Sequence, residues 1–243
     1  MSARVLEGKT ALVTGGGRGL GAEICSALAA SGARVIVADV RAALAADHAG
    51  TLRSRGLDAR AEALDVSDAG QVSACVAGIV AQDGGLDILV NNAGVDYTRP
   101  LTELAITEWD HVIATNLRGP FLLCREAAGH MKARRQGHIV NIASTAAKRS
   151  WPNASAYHAS KWGLLGFSHA LHAELRPEGI KVTAVIVGGM RTPFLLERFP
   201  DIDLGCLQEP ANVAAAIVAV LSLPGGSVVP EITVLPMGET SWP

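Results

Sequence analysis

Short apolar runs alternate with stretches of helical spacing along the chain. Lys9 to Thr14 reads as a first strand, and a helix from about Gly19 to Ser31 follows, with Ile24, Leu28 and Ala29 on one face. Ala33 to Asp39, Asp58 to Leu64, Leu86 to Val90, Gly137 to Ala143, Ile180 to Val187 and Glu231 to Leu235 read as further strands. Helices are predicted over Ala42 to Arg55, Ala69 to Ala81, Glu108 to Ala133, Ala154 to Leu175 and Pro210 to Leu223. Asp68 is the expected N-cap of the third helix. Glu108 to Ala133 is read as one helix, bent near Arg118-Gly119-Pro120 because proline removes a helical hydrogen bond. Phe194 to Gln208 is a variable segment. Strands alternating with helices demand parallel pairing through right-handed crossovers. Runs such as Ala11-Leu12-Val13 and Ile88-Leu89-Val90 do not alternate with polar residues, which suits a sheet covered on both faces. The expected class is α/β, a single domain over residues 1–243 without repeat or linker.

With 243 residues and 49% hydrophobic composition, the chain is long enough for one large core. The net charge of -2 comes without a basic block, so no nucleic-acid partner is expected. No apolar run is long enough to predict a membrane span. Glu7, Gly8 and Lys9 interrupt any early apolar segment, which argues against a secretory leader. Cys25, Cys75, Cys124 and Cys206 are far apart and read as reduced, mostly buried thiols. Together these features predict a cytoplasmic protein, and no metal is expected.

Three stretches carry candidate chemistry. The first strand runs into Gly15-Gly16-Gly17-Arg18-Gly19-Leu20-Gly21, and a helix follows. A glycine turn lets backbone approach a pyrophosphate, and the helix N-terminus adds N–H groups and a positive dipole. A flexible loop is the plainer alternative. Asp39 ends the second strand, 18 residues after Gly21, where an acid suits ribose hydroxyls; a solvated loop acid is the alternative. Asp65, at the end of the third strand, is placed to reach an adenine amino group, and Asn91-Asn92-Ala93-Gly94 offers small residues after the fourth. Tyr157 and Lys161, four apart on one helix, set an ammonium beside a phenol. The ammonium favours phenolate and is expected to draw the phenol down from about 10. Alone, this pair also occurs in unrelated helices.

Together, Thr14-Gly15-x-x-x-Gly19-x-Gly21, Asn91-Asn92-Ala93-Gly94, Asn116, Ser144 and Tyr157-x-x-x-Lys161 resemble the short-chain dehydrogenase/reductase family. The likeness runs from about Val5 to Leu223, and Ser144 precedes Tyr157 by the family's usual 13 residues. The resemblance implies a seven-stranded, doubly wound Rossmann sheet with helices on both faces. It implies an oxidoreductase that moves hydride between a nicotinamide dinucleotide and a secondary alcohol or ketone. Tyr157 is then the proton donor or acceptor, Ser144 steadies the substrate oxygen, Lys161 tunes Tyr157 and binds ribose, and Asn116 holds a relay water. Cofactor contacts are implied for Gly15, Arg18, Gly19, Leu20, Gly21, Asp39, Asp65, Val66, Asn92, Ala93, Gly94, Tyr157, Lys161, Gly188, Met190 and Thr192. Substrate contacts are expected for Ser144, Trp151, Tyr157 and Gly189.

The cofactor signs conflict. Asp39 favours NAD by repelling a 2′-phosphate, whereas Arg18 and Arg41 are able to neutralise one; Asp39 occupies the place the phosphate would take, so NAD is expected. The alternatives are a 3-oxoacyl-thioester reductase using NADP(H) and a non-catalytic dinucleotide-sensing protein. A homotetramer is expected, built on the helices over Glu108 to Ala133 and Ala154 to Leu175. The chain departs from the family in Val187-Gly188, where Pro-Gly is common, and in a short segment from Thr192 to Pro210, so a small or open lid is expected. The apolar tail around Trp242 is expected to pack on a neighbour or near a pocket.

Overall fold

β1 (Thr10–Thr14), β2 (Arg34–Asp39), β3 (Ala59–Ala63), β4 (Ile88–Asn91), β5 (Gly137–Ile142), β6 (Ile180–Val187) and β7 (Glu231–Val234) form one sheet in the order β3-β2-β1-β4-β5-β6-β7. Every pairing in it is parallel. The computed structural model describes residues 4–239, so Trp242 and the rest of the tail from Thr240 lie outside the described residues.

Helices α1 (Gly19–Ala30), α2 (Ala42–Ser54), α3 (Ala69–Asp83), α4 (Ile106–Ile113), α5 (Gly119–Arg134), α6 (Ser155–Leu175), α7 (Pro193–Leu196) and α8 (Pro210–Leu221) complete the fold. Successive strand residues feed opposite cores. Ala11 and Val13 of β1 pack with Ile24 and Leu28 of α1 and Ile217 of α8. Leu12, between them, packs with Ile79 of α3 and Leu123 and Met131 of α5. A strand buried on both faces has no polar side, which is why its sequence lacks alternation. Asp68 caps α3 as expected, accepting from the N–H groups of Gly70 and Gln71.

The expected long helix is not continuous. α4 starts at Ile106, a five-residue π turn covers Ala114–Arg118, and α5 starts at Gly119 with Pro120 in its first turn. Proline lacks an N–H, so the wider turn falls where a helical bond would be missing. α7, inside the variable segment, was not expected; it spans only four residues and leaves no periodicity to read.

The strand order reverses between β1 and β4, and in an open parallel sheet such a point opens a crevice at the strands' carboxyl ends. Thr14 and Asn92 staple that crevice. The Thr14 hydroxyl accepts from the N–H groups of Asn92 and Ala93, each at 3.1 Å, and donates to the Val90 carbonyl. The Asn92 amide donates to the carbonyls of Thr14 and Gly15 at 2.9 and 3.1 Å. A buried chain from Asn91 through Asn141 to Ser168 ties β4 and β5 to α6 and sets the helix that carries Tyr157. Among the described residues, no helix is long and apolar enough to cross a membrane. Cys25, Cys75 and Cys124 are buried and unpaired, and Cys206 is half-buried.

Candidate active site

A cavity of about 420 Å³ fills the crevice. It runs from Asp39 and Arg41 past the glycine turn to Tyr157 and Lys161. Every residue expected to contact the cofactor lines it except Gly188. The floor requires glycine: Gly15 has φ +61, and a Cβ on Gly21 would stand 2.0 Å from the Gly15 carbonyl oxygen. Backbone therefore reaches the cavity where α1 begins, as a pyrophosphate needs.

At the far end of β2, Asp39 is buried and clamps the turn. Its carboxylate accepts from Gly17 N–H at 3.1 Å and from Arg41 N–H at 3.0 Å, and the Arg41 guanidinium stands 3.6 Å away. Each oxygen keeps a lone pair for a further donor. Arg18 does not turn toward Asp39. Its guanidinium holds Glu197, beyond α7, in a two-pronged pair at 2.5 and 3.1 Å. Asp65 accepts from the N–H and hydroxyl of Ser67 and faces the same cavity.

Tyr157 and Lys161 line the other end, with Ser144 behind the phenol and Asn116 across Gly94 from Lys161. α6 is held against β5 by Lys161, whose ammonium donates to the Ile142 carbonyl at 2.8 Å. Burial drives the Lys161 pKa down to about 8, partly offset by the charge of Asp96. Burial also pushes the Tyr157 phenol up to about 12; the hydrogen bond with Ser144 pulls it down, while Asp96 adds to the rise. The phenol is thus not depressed by Lys161 in this structure, contrary to the sequence expectation. The ammonium is itself desolvated and its hydrogen bond goes to main chain.

Asn116 sits in the π turn and is fully buried. Its amide oxygen accepts from Val95 N–H at 2.8 Å. Its amide nitrogen donates to the Val95 carbonyl at 2.8 Å and to the Ser160 hydroxyl at 3.1 Å. Both amide hydrogens are therefore spent on protein, and only a lone pair of the oxygen is left for a water. This fixes the backbone just after Gly94 against the helix of Tyr157.

Of the four expected substrate residues, Tyr157 lines the cavity and Ser144, Trp151 and Gly189 do not. Trp151 is half-exposed, with its ring 4.3 Å from that of His158. The Trp151 main-chain N–H donates to His158 Nε2 at 3.2 Å, so Nδ1 carries the proton donated to the Ala146 carbonyl. Gly189 is packed under Leu207, whose Cδ2 would lie 2.7 Å from an added Cβ. Gly188 spends its N–H on Val234 at 3.0 Å.

Sequence reasoning missed Phe194 and the ion pairs that close the site, although it placed Asp96 beside the pocket. Phe194 of α7 lines the cavity with its ring 6.0 Å from that of Tyr157. Arg198 pairs with buried Asp96, two residues past Gly94, and stacks on Phe194 at 4.1 Å. The segment after Thr192 is short, but it is tied down rather than open. Only the charges of Glu197 and Arg198 hinted at this.

Residues 9–203 match the short chain dehydrogenase family. The chain belongs to that family. It is 43% identical to a D-threitol dehydrogenase of Mycolicibacterium smegmatis, over 74% of this chain and 69% of that protein. It is 37% identical to a 3-oxoacyl-[acyl-carrier-protein] reductase of Staphylococcus aureus, over 74% of each chain. A solved metagenomic short-chain oxidoreductase in complex with NADP superposes with a TM-score of 0.86 at 33% identity, covering 96% of this chain and 99% of that one. The family comprises oxidoreductases that bind a nicotinamide dinucleotide, and the glycine floor and the cavity of this chain fit such a ligand.

Proposed function

We propose that this protein is an NAD(H)-dependent oxidoreductase that interconverts a secondary alcohol and a ketone. The observation that carries the reading is the joining, in one cavity, of Asp39 and the glycine turn at one end with Tyr157 and Lys161 at the other. A bound nicotinamide dinucleotide supplies the hydride acceptor or donor. Tyr157 gives a proton to the substrate oxygen in reduction and takes it in oxidation. Ser144, whose hydroxyl pulls the Tyr157 pKa down, steadies charge on the same oxygen. Lys161 binds the nicotinamide ribose and passes protons on. The relay water belongs between Asn116 and Lys161, whose Oδ1 and Nζ both face Gly94, 3.5 and 3.9 Å from the place of an added Cβ.

NAD rather than NADP is favoured by the state of the two arginines. Arg41 is drawn to Asp39 and Arg18 to Glu197, so neither cation is free for a 2′-phosphate. Asp39 opposes that phosphate directly. The neighbour solved with NADP argues the other way, so both cofactors belong in the assay. The acyl-thioester reading needs a basic mouth for an acidic carrier. Arg191 is held by Glu209 at 2.7 Å and Arg198 by Asp96, which weakens it. A purely sensing protein has no need for the four assembled proton-transfer residues.

The reading includes a homotetramer in the cytoplasm and a single domain over the chain. Trp109 of α4, Phe121 of α5 and Trp162 of α6 are exposed by 37, 46 and 53%. Gly166 of α6 has nothing within 4 Å of a would-be Cβ, which suits close packing against a second copy. Light scattering at micromolar concentration should give four chains, and a monomer would sink that part.

The decisive assay is a panel of secondary alcohols and ketones with both cofactors, following absorbance of the reduced nicotinamide. Turnover with NAD(H) is expected. Cofactor binding without turnover on any member would favour the sensing alternative.

A further inference from the structure

We propose that Glu197 is a specificity-determining residue for the nucleotide, acting by holding Arg18 away from the adenosine ribose. The inference rests on the NAD reading above and deepens it. Arg18 is the residue just before α1, and it lines the cavity that Asp39 and Arg41 also line. It is thus a cation beside the place a 2′-phosphate would occupy. Glu197 follows α7 on the segment that covers the site. Its two oxygens meet the two terminal nitrogens of Arg18 at 2.5 and 3.1 Å across 179 residues of chain. This parallel fork is the geometry in which a guanidinium binds a carboxylate most strongly, and the geometry it would use for a phosphate.

The electrostatics agree with the fork. The hydrogen bond from Arg18 lowers the Glu197 pKa, and the charges of Arg18 and Arg41 lower it further. Glu197 is therefore an anion facing both arginines that the sequence offers to NADP. A 2′-phosphate must break the fork to recruit Arg18, and in doing so releases one of the ties that hold the covering segment. The second tie, Arg198 to Asp96, remains on the other side. NAD makes no such demand on Arg18. Discrimination then has two parts: Asp39 repels the phosphate, and Glu197 occupies its would-be partner.

Glu197→Gln keeps the length and shape of the side chain and removes its charge. Affinities for NAD+ and NADP+ are measured by titration calorimetry in the wild type, Glu197→Gln, Arg18→Ala and the double variant. The NADP+ affinity of Glu197→Gln should rise about 1.4- to 5-fold relative to its NAD+ affinity, the range expected for releasing an exposed ion pair. That gain should vanish in the Arg18→Ala background, because Glu197 acts only through Arg18. An unchanged ratio in Glu197→Gln, or the same gain without Arg18, would overturn the proposal. A wild type that prefers NADP+ would sink the NAD reading instead. The Glu197→Gln shift is scored against the wild-type ratio, whichever cofactor that ratio favours.

Discussion

Lys161 Nζ lies 5.6 Å from the centre of the Tyr157 ring and gives its hydrogen bond to the Ile142 carbonyl. The ammonium therefore stands by the ring without relieving the phenol. Burial wins, and the phenol is pushed up to about 12. The chain has two tyrosines, so Tyr97→Phe leaves Tyr157 alone to report. In the ligand-free Tyr97→Phe protein, the absorbance of phenolate should stay absent through the ordinary tyrosine midpoint near pH 10. A midpoint at or below that value would show that Lys161 outweighs burial. The nicotinamide ring of the oxidised cofactor is cationic and should move the midpoint down.

Turnover should depend on the Tyr157 hydroxyl. Tyr157→Phe keeps the ring that packs beside Phe194 and loses only the proton donor. Its kcat should fall by about 10²–10⁴, the usual worth of general acid–base catalysis, while cofactor binding persists. Near-normal steady-state turnover would remove Tyr157 from its role. Lys161→Ala should lose turnover and cofactor affinity together, since both tasks are assigned to it.

Cofactor preference should shift when Asp39 is removed. The carboxylate does two things: it clamps Gly17 and Arg41 N–H groups, and it sets a negative charge in the adenosine end. Asp39→Ala loosens the turn for either cofactor but removes repulsion only for NADP. At about 4 Å and an effective dielectric near 20, that repulsion is about 4 kcal/mol before screening. The ratio of kcat/KM for NADP to that for NAD should therefore rise, with the NAD value falling as the turn loosens. A constant ratio would mean that the turn geometry, not the charge, decides.

The parts of this protein that were legible from sequence are those set by local rules. The glycine turn, the seven strands and the helix carrying Tyr157 follow from apolar runs, glycine positions and helical spacing. The break before Pro120 was legible as a bend, but its form as a π turn was not. The role of Asn116 was half legible. Its place beside Lys161 is in the motif, but the spending of its amide on Val95 depends on a loop 21 residues away. The ion pairs that close the site were not legible at all. Arg18 and Glu197 are 179 residues apart, and Asp96 and Arg198 are 102 apart. Charge alone gives no rule for choosing such partners. Trp151 shows the opposite error: it lies near the motif in sequence, yet its ring packs on His158 outside the cavity.

The Asp96–Arg198 pair should be needed for stability in a pH-dependent way. The side chains are only 6 and 21% exposed, so neither charge is well hydrated. Burial raises the Asp96 pKa, and the charge and hydrogen bond of Arg198 pull it back down. Arg198→Met keeps much of the volume over Phe194 but leaves Asp96 buried without its cation. Removing one partner of a buried pair typically costs about 3–5 kcal/mol when the other stays charged. Without Arg198 the folded-state pKa of Asp96 rises further above its unfolded value. The folded variant then binds a proton that the unfolded chain has released, so its stability falls as pH rises through that window. Below the unfolded pKa of about 3.9 both states are protonated and this part of the loss is absent. The gap between wild type and Arg198→Met should therefore widen from pH 5 to pH 7.5 in urea denaturation. A gap that stays constant across that range would mean that Arg198 acts through packing on Phe194 and not through the charge of Asp96.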